Sequence, residues 1–110
     1  MGNDRYYVVY VAAPPADAET LAHALVRQQV AACVNIIPTI RSIYRWKGEI
    51  CDDGEALLVI KTTGDRLEQL KALVVEQHPY EVPEIIALPI VQGHDPYLRW
   101  IDASTGVSRN

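Results

Sequence analysis

The chain is short of positive charge: ten Lys and Arg stand against fourteen Asp and Glu among 110 residues, a formal net charge of −4. A nucleic-acid partner calls for a basic face that displaces counterions from phosphates, so none is expected. No apolar run approaches the ~20 residues of a membrane helix, and Met1-Gly2-Asn3-Asp4-Arg5 lacks the apolar stretch of a signal peptide. A cytoplasmic location with no membrane partner is the resulting expectation. Gly2 invites N-myristoylation, but Tyr6 stands where that motif takes Ser or Thr. Cysteine is scarce, and without a secretory signal Cys33 and Cys51 read as free thiols. The six glycines are scattered with no phosphate-cradling loop, and no nucleophile stands beside a base, so neither enzymatic activity nor an organic cofactor is expected. His23, His78 and His94 share no ligand spacing with one another or with a cysteine.

Hydrophobic residues make up 49% of the chain and charged residues 22%, the balance of an ordinary globular protein. The length fits one domain, residues 1–110, with an ordered core from about 5 to 105 and a frayed tail after Gly106. Tyr6 to Ala12 is β-branched and aromatic without polar alternation, as in a central strand covered on both faces, and Pro14 and Pro15 end it. Ala18, Leu21, Ala22, Leu25, Val26 and Val30 then recur at helical spacing, with His23 on the solvent side. Cys33–Trp46 and Glu49–Thr63 are two arms of one hairpin turning at Lys47-Gly48. Pro38 marks a bulge or edge in the first arm, and Asp52-Asp53-Gly54 loosens the second. Asp65 is the expected N-cap of a second helix that Pro79 stops. Ile85 to Val91 is a fourth strand with Pro89 on an edge, and Asp95-Pro96 opens a last helix. This β-α-β-β-α-β-α order predicts an α+β fold, a ferredoxin-like βαββαβ sandwich with an extra C-terminal helix.

The hairpin is long for such a domain. Fourteen residues of strand span roughly 45 Å, whereas a compact chain of this size is about 34 Å across. The tip therefore overhangs, carrying Ile43, Tyr44, Trp46 and Ile50. Apolar side chains on a projecting ribbon call for a cover, and the simplest cover is a further copy of the chain. The alternative is a hairpin that breaks at Pro38 and Gly54 and packs on its own domain. With the turn at Lys47-Gly48, Cys51 faces the region of Tyr44 and Cys33 that of Thr62, too far apart for a disulfide or a shared metal within one subunit.

Two places attract a functional reading. Cys33, between Ala32 and Val34, is most simply a small buried hydrophobe, with a thiolate ligand as the sharper alternative. In His78-Pro79-Tyr80-Glu81-Val82-Pro83-Glu84 each proline keeps its predecessor extended, which makes the segment stiff. Full extension would turn His78 and Tyr80 one way and Glu81 the other, so no His–Glu acid–base pair follows. The segment is either a rigid connector or one wall of a binding cleft formed by Pro79, Tyr80, Pro83 and Glu84.

That segment with Ile85, followed by Leu88-Pro89, Gly93 and Tyr97-Leu98-Arg99-Trp100-Ile101, closely resembles the carboxyl-terminal signature of the CutA divalent-cation tolerance family. Ala31-Ala32-Cys33-Val34-Asn35, Ser42-Ile43-Tyr44-Arg45-Trp46-Lys47-Gly48-Glu49-Ile50 and Lys61-Thr62-Thr63 follow that family in the same order, so the likeness runs from Tyr7 to Ser104. The resemblance implies a homotrimer of ferredoxin-like subunits whose hairpins reach onto neighbours, with Ile43, Tyr44, Trp46 and Ile50 at the interface. It also implies a role in tolerance of divalent metal ions, copper above all. Carried onto this chain, metal binding points to Cys33 and His78, with Glu81 as a weaker addition, and thiolate and imidazole suit copper. Some members carry a cysteine at the end of the first strand, where this chain has Val11. The trimeric PII signalling proteins share the fold, which gives a second expectation, a small molecule or partner protein bound between subunits.

Overall fold

The computed structural model describes residues 5–109. The signal-peptide and myristoylation expectations rest on residues 1–4, outside the described residues. The elements run β1 (Tyr6–Ala13), α1 (Pro15–Arg27), β2 (Cys33–Trp46), β3 (Glu49–Thr63), α2 (Gly64–Gln77), β4 (Ile85–Pro89) and α3 (Asp95–Ser104). One antiparallel sheet takes the order β2-β3-β1-β4, which puts β1 between β3 and β4 and leaves β4 on an edge.

Side-chain alternation sends Val9 and Val11 of β1 and Ala56, Leu58 and Ile60 of β3 to one face of the sheet, where Leu21 and Leu25 of α1 and Leu70 and Val74 of α2 close over them. Each such aliphatic side chain contributes about 1.5–3 kcal/mol on leaving water. The opposite face is covered by α3 at one end. There Tyr6 donates its hydroxyl proton to Asp102 of α3 (2.6 Å), and the Thr63 and Thr105 hydroxyls lie 3.3 Å apart. Farther along, Tyr10, Ile86 and Leu88 stand exposed on this face, so β1 is central in the sheet but covered on both faces over only part of its length.

Four local expectations are corrected. Val26 falls outside the buried stripe of α1 and is exposed. Asp65 is no N-cap: β3 runs directly into α2, Thr63 takes the cap position, and Asp65 in the first turn accepts a hydrogen bond from Arg109 (2.7 Å). β4 stops at Pro89, beyond which only the Ile90 N–H reaches β1, at the Tyr6 carbonyl (2.8 Å). The tail does not fray at Gly106: the Val107 N–H bonds the Asp102 carbonyl (2.8 Å), and the Arg109 guanidinium bridges Asp102 and Asp65 while lying over the Tyr6 ring.

The hairpin departs from its expected irregularities on one arm only. Ile37 pairs with Leu57 and Ile40 with Glu55, so β2 carries one extra residue beside Pro38, a bulge. β3 keeps its ladder straight through Asp52, Asp53 and Gly54. The diagonal Arg41 guanidinium takes the Asp52 carboxylate in a two-pronged pair (2.8 and 2.6 Å), and the Tyr44 hydroxyl donates to Asp53 (2.5 Å), so these acids are tied to β2. The turn uses Lys47 at φ 51° and Gly48 at φ 81°, two left-handed residues that suit a tight hairpin. The ribbon projects as expected, giving extents of 50 × 28 × 21 Å. Ile43 and Ile50, on one side of it, are 64% and 63% exposed.

Candidate functional site

The segment after α2 crosses the end of the sheet beside the root of the ribbon. His78 is extended, as its position before Pro79 requires, but residues 79–82 bend instead of running straight. Its imidazole is 7% exposed and both ring nitrogens are occupied. Nδ1 accepts the Tyr80 N–H (3.2 Å), which fixes the proton on Nε2, and Nε2 donates to the Ala12 carbonyl (2.7 Å). This histidine joins the connector to the end of β1. The Tyr80 ring lies beside it, with centroids 4.8 Å apart.

From there Tyr80 reaches across to β3, where its hydroxyl donates to Glu55 (3.0 Å). Partial burial and the Glu55 carboxylate push the Tyr80 phenol up to about 12, so it stays a neutral donor. The Tyr44 phenol is likewise raised, chiefly by its bond to Asp53. Between the ribbon and the connector lies a groove of about 460 Å³, walled by Tyr44, Trp46 and Tyr80, with Glu55 and Ala12 at its base and Glu81 and Glu84 on the connector side. Glu55 is only 6% exposed. Its part was missed from the sequence, although the count that sets Cys51 opposite Tyr44 also sets Glu55 opposite Ile40, on the face of Tyr44 and Trp46.

Cys33 lies elsewhere. It pairs with Lys61, which in turn pairs with Val8, whereas His78 holds Ala12. Four residues of strand separate these positions, about 13 Å. The thiol lies near the Asn35 side chain and beside the Tyr97 hydroxyl of α3, whose pKa is raised by burial and then by Cys33. Cys33 and Cys51 are both free thiols. Among the described residues no three His, Cys, Asp or Glu side chains converge as metal ligands. A single subunit therefore does not fit a resident metal at Cys33, His78 and Glu81: the sulfur is remote, the imidazole is fully bonded, and Glu81 is an exposed carboxylate on the groove wall.

The four-stranded antiparallel sheet, its strand order and the two helices on one face define the ferredoxin-like class of α+β proteins. Within that class, residues 7–104 match the model of the CutA1 divalent ion tolerance protein family, and the chain belongs to that family. A divalent-cation tolerance protein CutA from Thermus thermophilus is 50% identical over 100 residues, 90% of this chain and 97% of that relative. The chloroplastic protein CutA of Arabidopsis thaliana is 50% identical over 99 residues, but the chain spans only 54% of its length. Among solved structures, a protein described as the PII-like protein CutA from a Nostoc species in apo form superposes with a TM-score of 0.86 at 33% identity, over 90% of this chain and 96% of that one.

Proposed function

We propose that this chain serves in cellular tolerance of divalent metal ions as a cytoplasmic, non-enzymatic homotrimer that binds the cation, copper or another divalent ion, where subunits meet. The observation that carries the reading is the family match along residues 7–104. The projecting ribbon supports the assembly, because the exposed Ile43 and Ile50 are costly in water and a neighbouring subunit supplies the cover that the chain itself does not. Of the ligands to test, Cys33 comes before His78 and Glu81, since the imidazole must first give up a hydrogen bond to bind a metal. A second subunit has to complete any such site. Sedimentation should find a trimer at micromolar concentration, and copper titration should lose affinity or stoichiometry in Cys33→Ser. A monomer would remove the assembly from the proposal, and an unchanged copper isotherm in Cys33→Ser and His78→Ala would remove these ligands.

A second reading, a regulatory trimer that binds a small molecule at an inter-subunit cleft, is favoured by one observation. The groove between ribbon and connector has the volume and aromatic lining of a small-molecule site. A ligand screen by thermal shift that leaves the melting temperature unmoved would count against it.

A further inference from the structure

We infer that the groove between the ribbon and the 78–84 connector is a site for an alkylammonium group, held on the faces of Tyr44, Trp46 and Tyr80 and paired with Glu55. The inference rests on the small-molecule reading of the groove and supplies its chemical class. Three features of the lining support it.

The first is an unmatched charge. Glu55 is nine-tenths buried, yet no Lys, Arg or His side chain forms an ion pair with it among the described residues. One carboxylate oxygen receives the Tyr80 hydroxyl, and the other has no hydrogen-bond donor among the described residues. A mostly buried carboxylate with one oxygen on a phenol and the other left to the solvent of the groove can take a cation there. The open side of Glu55 is the groove, so a cation entering there would meet it.

The second is the walls. Aromatic faces attract cations through the ring quadrupole, most strongly for indole, and three rings line this one groove. The protein's own Lys47 ammonium lies 5.9 Å from the Trp46 centroid, a cation already resting on that ring at the ribbon tip. The phenols of Tyr44 and Tyr80 point their hydroxyls at Asp53 and Glu55. Their rings are thus fixed as surfaces by bonds made at their edges.

The third is the mismatch with a bare metal ion. A hard divalent cation takes about six oxygen ligands at 2.0–2.6 Å and holds its water tightly. Among the described residues no three carboxylates, thiols or imidazoles come close enough together to hold such an ion, and rings offer it nothing in exchange for its hydration. An alkylammonium needs less. Its apolar stem is covered by the rings, its head pairs with Glu55, and Glu81 and Glu84 add negative potential at the mouth.

The test compares butylammonium with butanol, nearly equal in shape and different in charge, by calorimetry on the assembled full chain. Butylammonium should bind at least ~tenfold more tightly than butanol, and Glu55→Gln and Trp46→Leu should each weaken it by ~tenfold. Equal binding of the two probes, or butylammonium binding untouched by Glu55→Gln, would overturn the inference while leaving a small-molecule groove in place. No binding of either up to ~10 mM would overturn both this inference and the reading beneath it. Should Glu55→Gln fail to fold, the two probes on the wild-type chain still decide, because they need no substitution.

Discussion

Where β2 and β3 lie within the sheet, Leu58 and Ile60 are fully buried under α1 and α2; where the same strands run on past the Pro38 bulge, Ile43 and Ile50 stand mostly in water. Both stretches are rich in β-branched residues, and both form ladders of equal regularity. The difference between them is a cover: the helices belong to the near half, whereas the far half meets the 78–84 connector on the side of Tyr44 and Trp46 and leaves Ile43 and Ile50 exposed on the other. Local β character thus determines that a ribbon forms, whereas the identity of what buries it depends on how far the ribbon travels from its own helices.

The contrast can be broken most strongly in the far half. Replacing Ile43 and Ile50 together by Asp should leave the circular-dichroism spectrum of the subunit intact while weakening assembly by about 3–6 kcal/mol per subunit, read as a shift of the sedimentation profile toward monomer. In the near half, Leu58→Ala should lower the unfolding free energy of the subunit itself by about 2–5 kcal/mol in urea titration. His78→Ala should cost about 1–3 kcal/mol in the same assay, because the Ala12 carbonyl loses its donor, whether or not copper is present.

Smaller effects separate the two carboxylate pairs. Arg109 holds the Asp65 carboxyl below its ordinary value of 3.8, so this pair contributes fully above that pH and its contribution is lost as pH falls through the depressed folded value. Asp65→Asn should flatten that part of the acid denaturation curve by less than about 1 kcal/mol, since the carboxylate is half exposed to screening solvent. Arg41 depresses Asp52 in the same way on the ribbon, where the guanidinium is mostly in solvent, and Arg41→Ala should leave the denaturation midpoint unmoved.

Much of this architecture was legible because chain punctuation and periodicity act locally. The hairpin arms, the Lys47-Gly48 turn, the irregularity at Pro38 and the element order all follow from residues within a few positions of one another. What escaped the sequence depends on distant partners. Asp65 looks like a cap until Arg109 claims it from 44 positions away. Val26 has the right spacing for the core but stands exposed. His78 reads as a candidate ligand until the Ala12 carbonyl and the Tyr80 amide take its two nitrogens. Glu55, an ordinary acid in an ordinary strand, becomes the base of a groove only when the connector folds over it.

The single extra residue beside Pro38 acts as a phase shifter. Before it, the odd-numbered Cys33, Asn35 and Ile37 share a side with Leu57 and Val59; after it, the even-numbered Tyr44 and Trp46 share that side with Glu55. A straight ladder that kept Thr39 would pair it with Glu55 and Ile43 with Cys51, delivering Ile43 and Arg45 to the side of Glu55 and both aromatic rings to the far side of the ribbon. Deleting Thr39, by contrast, would remove the bulge and leave the downstream pairings as they are. The character of the groove is therefore encoded by the parity of a strand as much as by the identity of the residues along it.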